Sequence, residues 1–203
     1  MHPRVLQEFE RVCSERNAGG SVLEVGAVPS EESLLCLRSL EKAESKIGVN
    51  LDGPHTYRDF QILKVNGNDM SCFEDNRFNT VLSNATLEHD RFFWKTLSEM
   101  KRVARPGGLI VIGVPGFTKL RFEKAHRLVE RIPLLGRRLS RPFGPLFAST
   151  FVLQLHNAPG DYYRFSPQAV MEVFFEGMIE VQVRCLMFPP RIIGSGIKPS
   201  TGW

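Results

Sequence analysis

In the stretch SVLEVGAVPS, Ser21 to Ser30, an acid and a glycine stand two residues apart at the end of a short apolar run of Val22, Leu23 and Val25. Such a run suits a buried parallel strand, and Gly26 interrupts it where the chain must turn tightly. Glu24 then lies near the strand's carboxyl end, the side of an open α/β sheet on which ligands bind, and the pair suggests a nucleoside-type ligand. A second acid, Asp52, comes 28 residues later, a spacing that fits one crossover; it can accept hydrogen bonds from ribose hydroxyls or serve as a plain turn residue. Further on, His89, His156 and Tyr163 carry groups able to orient or deprotonate a hydroxyl, and Arg164 can clamp a carboxylate or phosphate. Each has a plainer reading too: His89 as a cap ahead of a helix, and Tyr163 with Arg164 as a tie between an insertion and the core.

The elements that must position these groups follow from hydrophobic periodicity. Residues 3 to 18 predict an amphipathic helix with Val5, Leu6, Phe9 and Val12 on one stripe, ended by Gly19-Gly20. Ser30 reads as the N-cap of a second helix, with Glu31 and Glu32 in its first turn and Leu34, Leu37 and Leu40 on its buried face. Two acids at that position would repel a phosphate, and G-x-G-x-x-G is missing, so a dinucleotide is disfavoured. Ser45 to Leu51, Phe60 to Val65, Phe78 to Ser83 and Leu109 to Val114 predict further strands, with room for only a turn or two of helix before Phe60. Between the last two of these strands, Phe93, Leu97, Met100 and Ala104 predict a helix that Pro106-Gly107-Gly108 stops. Ser166 as N-cap, Pro167 behind it and Gly177 at the end punctuate a helix with Val170, Val173 and Phe174 on one face. Ile179 to Phe188 and Arg191 to Lys198 read as a closing antiparallel hairpin.

At 203 residues, 42% hydrophobic and 24% charged, the chain suits a single domain, 1–203, with a sizeable core. No run of about 18 apolar residues is present, and the charged, amphipathic start is unlike a signal peptide, so a cytoplasmic protein is expected. Cys13, Cys36, Cys72 and Cys185 lack metal-site spacing and read as reduced thiols. The net charge of +4 is uneven, since residues 117 to 145 alone carry a surplus of six. Thr118 to Ile132 reads as a basic amphipathic helix within an insertion at about 117–160 that overhangs the crevice. Its arginines, interleaved with phenylalanines and leucines, suit an anionic, partly apolar substrate, or peripheral membrane contact through residues 117–150; a solvated helix face is the alternative.

Motif by motif, the chain resembles the class I S-adenosylmethionine-dependent methyltransferases. SVLEVGAVPS is similar to their acid-x-Gly-x-Gly-x-Gly motif, with Val28 and Ser30 where the second and third glycines usually stand. Residues 73 to 116, in the order strand, S-N-A-x-L-E-H, helix, R-P-G-G, strand, are similar to the family's later motifs. The segment D-Y-Y-R-F-S-P, from Asp161, resembles one in bacterial members associated with glycan and cell-envelope tailoring. The resemblance implies an α/β, Rossmann-like, doubly wound seven-stranded sheet, mostly parallel, with a C-terminal antiparallel hairpin. It implies S-adenosylmethionine as cofactor, held by Glu24, Gly26, Asp52, Asp69, Met70, Asn84 and Ala85, with Asp69 and Met70 at the adenine. Leu87, Glu88 and His89 would sit at the active-site mouth, and Tyr162 with Arg164 on the acceptor side. The expected acceptor is a small or lipid-linked molecule, a sugar among the candidates, and not a nucleic acid, because no N-P-P-Y-like motif is present. The alternative is a degenerate relative that keeps the fold as a binding or scaffold protein.

Overall fold

The computed structural model describes residues 1–117, 160–187 and 189–200. The chain divides into Met1–Gly116 with His156–Trp203 and a separate unit, Phe117–Leu155; the fold described is that of the first. Its strands are β1 (Ser21–Val25), β2 (Ser45–Asn50), β3 (His55–Tyr57), β4 (Phe60–Lys64), β5 (Phe78–Asn84), β6 (Ala104–Pro115), β7 (Ile179–Leu186) and β8 (Arg191–Ile197). They form one sheet in the order β3-β4-β2-β1-β5-β6-β8-β7. The inner strands from β4 to β6 pair in parallel, whereas β8 runs antiparallel to β6 and β7 antiparallel to β8. This is the Rossmann-like α/β arrangement with a closing hairpin. From β1 the chain winds outward through β2 to β4, then returns to β5 on the other side, so the direction of winding reverses between β1 and β5. A crevice opens at such a switch point.

Side-chain alternation divides the core between the two faces of the sheet. Val22, Leu82 and Val111 pack with Val5, Phe9 and Val12 of helix α1 (Pro3–Glu15), while Leu23, Val81 and Ile112 pack with Leu97, Met100 and Val103 of helix α2 (Phe93–Val103). Burial along β1 and β6 is nearly continuous, as strands covered on both faces require. Phe93 anchors the second face, its ring lying 5.0 Å from Tyr163, 5.1 Å from Phe165 and 5.7 Å from Phe174.

Three elements differ from what the periodicity predicts. The sheet has eight strands among the described residues rather than seven, because the short crossover before β4 is an extended arm, β3, antiparallel to β4 with Thr56 opposite Gln61. No α-helix follows Ser30. Two 3-10 turns, Leu34–Cys36 and Arg38–Leu40, take its place, separated by Leu37 in an extended conformation. Leu34, Leu35, Leu37 and Leu40 are all buried, a set too wide for one α-helical stripe. Ser166 does cap its helix, accepting the Ala169 N–H at 3.0 Å, but after Pro167–Ala169 the coil widens into a π-helical turn, Val170–Phe174. The wider turn aligns Val170 with Phe174 and Phe175 in the core and leaves Val173 52% exposed.

Candidate functional site

A cavity of about 500 Å³ opens at the carboxyl ends of β1, β2, β4 and β5. Two backbone features shape it. Gly26 turns the chain out of β1 at φ +86, in the left-handed region, and a Cβ there would lie 2.0 Å from the Thr86 hydroxyl oxygen. That hydroxyl donates to the carbonyls of Asn84 at 3.1 Å and Val25 at 3.3 Å, tying the exits of β5 and β1 together. Ala85, also left-handed at φ +53, is held there by its N–H donating to the Gly113 carbonyl at 2.9 Å. A non-glycine residue in that conformation is costly and persists where the surroundings impose it, commonly at a binding site.

Gly26, Ala85, His89 and Tyr162 line this cavity, with Val28 on its wall at 37% exposure. Val28 therefore narrows the turn without closing the space.

The three tip carboxylates do not line it. Glu24 points away from the crevice into the core, where its carboxylate accepts the Ser33 hydroxyl and the N–H groups of Leu34 at 3.1 Å and Leu35 at 3.4 Å. It caps the first 3-10 turn, and because those donors come from residues far along the loop, no local pattern announces it. Burial pushes its acid up to about 7, against the pull of those hydrogen bonds. Asp52 lies beyond the last residue of β2 with its side chain 94% exposed, 3.6 Å from the His55 ring. The residue at the tip of β2 that faces the cavity is Asn50, whose amide donates to the Ala27 carbonyl at 2.8 Å. Asp69 is exposed and turned onto the Ser71 N–H, while Met70 is wholly buried in the core. Asn84 lies just below the opening, on β5 opposite Gly113.

The polar lining includes instead three asparagines, the hydroxyls of Thr86 and Thr96, and one acid, Asp90. The Asn68 amide donates to Asp90 at 2.6 Å and to the Thr96 hydroxyl at 2.8 Å, and Thr96 donates to the same Asp90 oxygen at 2.7 Å. This triad joins the loop after β4 to the segment before α2, and the other Asp90 oxygen accepts the Phe92 N–H at 2.8 Å. The sequence does hold a signal for Asp90, an acid three residues ahead of a helix. Glu31 and Glu32 do not guard a helix start either. Tyr57 donates to Glu31 at 2.6 Å, Arg58 pairs with the same oxygen, and Glu32 pairs with the chain's amino group.

On the acceptor side, the Tyr163 hydroxyl donates to the Arg91 carbonyl at 2.9 Å, which ties this segment to the one before α2, and Arg164 is forked onto Asp161, three residues before it in the same segment. Tyr162, 52% exposed, and Phe92, 44% exposed, form an aromatic rim. His156 and the basic segment 117–150, apart from its first residue, lie outside the described residues. No described helix is long and apolar enough to cross a membrane.

Fold and crevice together define a Rossmann-like α/β architecture that opens at its topological switch point. Residues 29–112 match the profile of the methyltransferase domain family. The Burkholderia thailandensis 1,6-didemethyltoxoflavin-N1-methyltransferase, solved with its substrate and S-adenosylhomocysteine, is 12% identical; it covers 96% of this chain and 78% of its own, with a TM-score of 0.62. The N-methyltransferase NodS from Bradyrhizobium japonicum, also solved with S-adenosylhomocysteine, is 11% identical over 97% of this chain and 86% of its own, TM-score 0.61. YcgJ from Bacillus subtilis is 13% identical over 98% and 99%, TM-score 0.59. At such identities the likeness is one of fold. No curated protein sequence matches the chain.

Proposed function

We propose that the chain is an S-adenosylmethionine-dependent methyltransferase that binds its cofactor in the crevice between the exits of β1 and β5. The carrying observation is the open cavity of about 500 Å³ kept clear by Gly26 against Thr86. A nucleoside with an amino-acid tail fits a space of that size. Asn50, Asn68 and Thr86 supply polar groups along it, and Gly26 and Ala85 let the backbone approach closely. When bound, the cofactor supplies an electrophilic methyl group on a sulfonium centre. The residues of this chain hold the acceptor in line, exclude water beneath Phe92 and Tyr162, and receive the acceptor's proton at His89. Positioning of this kind supplies roughly 7 to 11 kcal/mol of the barrier reduction. The aromatic rim and the basic segment 117–145 favour a small or lipid-linked acceptor carrying a hydroxyl, a sugar among the candidates.

Isothermal titration with S-adenosylhomocysteine tests the cofactor claim, and measurable saturable heat is expected. The turning away of Glu24, Asp52 and Asp69 from the crevice favours a second reading, a non-catalytic binding protein that keeps the fold. Absence of heat, with the protein folded, selects that reading and ends the first.

A further inference from the structure

Glu88 is fully buried, and neither of its carboxylate oxygens has a hydrogen-bond partner. A fold rarely retains such a group without a use for it. It sits in the 3-10 turn Leu87–His89, and its backbone carbonyl accepts the N–H groups of Tyr162 at 2.8 Å and Tyr163 at 3.3 Å. Pinned in this way, the side chain stays in the interior beneath the acceptor side. Two titratable or charged groups lie close by: Nε2 of His89 is 4.0 Å from Oε1, and Arg191, at the start of β8, is 3.8 Å from the same oxygen. Arg164 and Asp161, in the loop above, also bear on it, with opposite signs. Both close contacts are slightly beyond hydrogen-bond reach and well within Coulombic reach, in surroundings that screen little. His89 in turn lines the cavity.

We infer that Glu88 is a positioning residue for His89, and that the adjacent carboxylate and imidazole act as one proton-accepting pair at the edge of the crevice. The inference rests on the methyltransferase reading. In the step it implies, the acceptor oxygen takes the methyl group, the carbon–sulfur bond breaks to leave S-adenosylhomocysteine, and the acceptor's proton passes to the imidazole. Glu88 stabilises the resulting imidazolium, which later yields its proton to solvent. Arg191 favours the ionised carboxylate against the effect of burial, and its pairing with Glu88 is loose enough for the carboxylate to respond to the imidazole. Burial pushes the Glu88 acid up to about 7, with Arg191 and Arg164 among the groups opposing it, so the carboxyl exchanges its proton near neutrality, 4.0 Å from the imidazole.

The test needs no acceptor. The imidazole resonance of His89, identified by its loss in His89→Asn, is followed by NMR against pH in the wild type and in Glu88→Gln, a substitution of equal size. The midpoint is expected to fall by about one pH unit in the variant, a tenfold loss of proton affinity. An unmoved midpoint overturns the inference. Should Glu88→Gln fail to fold, the side-chain carboxyl carbon of Glu88 is followed in wild-type protein carrying labelled glutamate, with Glu88→Asp for assignment. Titration near neutrality, in step with His89, supports the pair, and an independent midpoint in the ordinary carboxylate range sinks it. S-adenosylhomocysteine binding on the same samples keeps the two claims apart: its absence in the wild type defeats the enzyme reading, whatever the histidine does.

Discussion

A β-carbon added at Gly26 would lie 2.0 Å from the hydroxyl oxygen of Thr86, so the exits of β1 and β5 fit together only because residue 26 has no side chain. Gly26→Ala should destabilise the protein by about 2 to 4 kcal/mol, combining overpacking with a left-handed alanine. Thr86→Ala in the same chain should recover part of that loss, since it removes the clashing oxygen. Chemical denaturation of the two single variants and the double variant measures the coupling, and simple additivity would contradict the contact.

The Val28 side chain forms a wall of the crevice and is partly exposed, so a larger residue there should fill the space without disturbing the core. Val28→Trp is expected to weaken S-adenosylhomocysteine binding at least tenfold, on the order of 1.4 kcal/mol, while the thermal transition stays in place. Unchanged affinity would move the cofactor site elsewhere.

The Glu24 carboxylate is engaged by the loop that follows β1. Glu24→Ala strands the Ser33 hydroxyl and the Leu34 amide in a buried place, while the Leu35 amide keeps the Ser33 oxygen, and a loss of about 2 to 3 kcal/mol is expected. Denaturant midpoints check this. A variant as stable as the wild type would show that the carboxylate is not the cap.

Burial raises the acids of Glu24 and Glu88 to about 7 in the native state, whereas an unfolded glutamate titrates near about 4.3. Between those values the native state binds more protons than the unfolded chain. The stability these groups provide is therefore complete below about pH 4.3 and is lost as the pH rises through about 7, with a slope of at most about 1.4 kcal/mol per pH unit for each group. Urea midpoints should decline from about pH 5 to about pH 8, and Glu88→Gln should flatten the decline. A midpoint that climbs over this range would refute the burial argument.

Tyr163 presents a contrast between ring and hydroxyl. Tyr163→Phe removes one hydrogen bond to the Arg91 carbonyl and should cost about 1 kcal/mol, with methyl transfer unchanged. Phe93→Ala breaks the aromatic cluster and should cost about 3 kcal/mol. A loss of turnover in Tyr163→Phe with stability intact would return the hydroxyl to a catalytic role.

Much of the architecture was legible along the chain, because burial on the two faces of a strand or along one stripe of a helix leaves a period of about 2 or 3.6 in the order of residues. The apolar runs at Val22–Val25 and Leu109–Val114 locate inner strands, the stripe from Phe93 to Met100 gives α2, and Gly26 marks the turn where the crevice opens. Those patterns depend on near neighbours alone. The direction of a polar side chain at a strand tip does not, since it depends on where the strand stops and on which distant donors come near it. Only the folded chain turns Glu24 inward to the loop amides, puts Asn50 where Asp52 was expected, and forms β3 in place of a helical turn. The same holds for Glu88, which in sequence is one acid beside a histidine. Packing of the loop at Tyr162 and of β8 at Arg191 removes its carboxylate from water and sets it against His89.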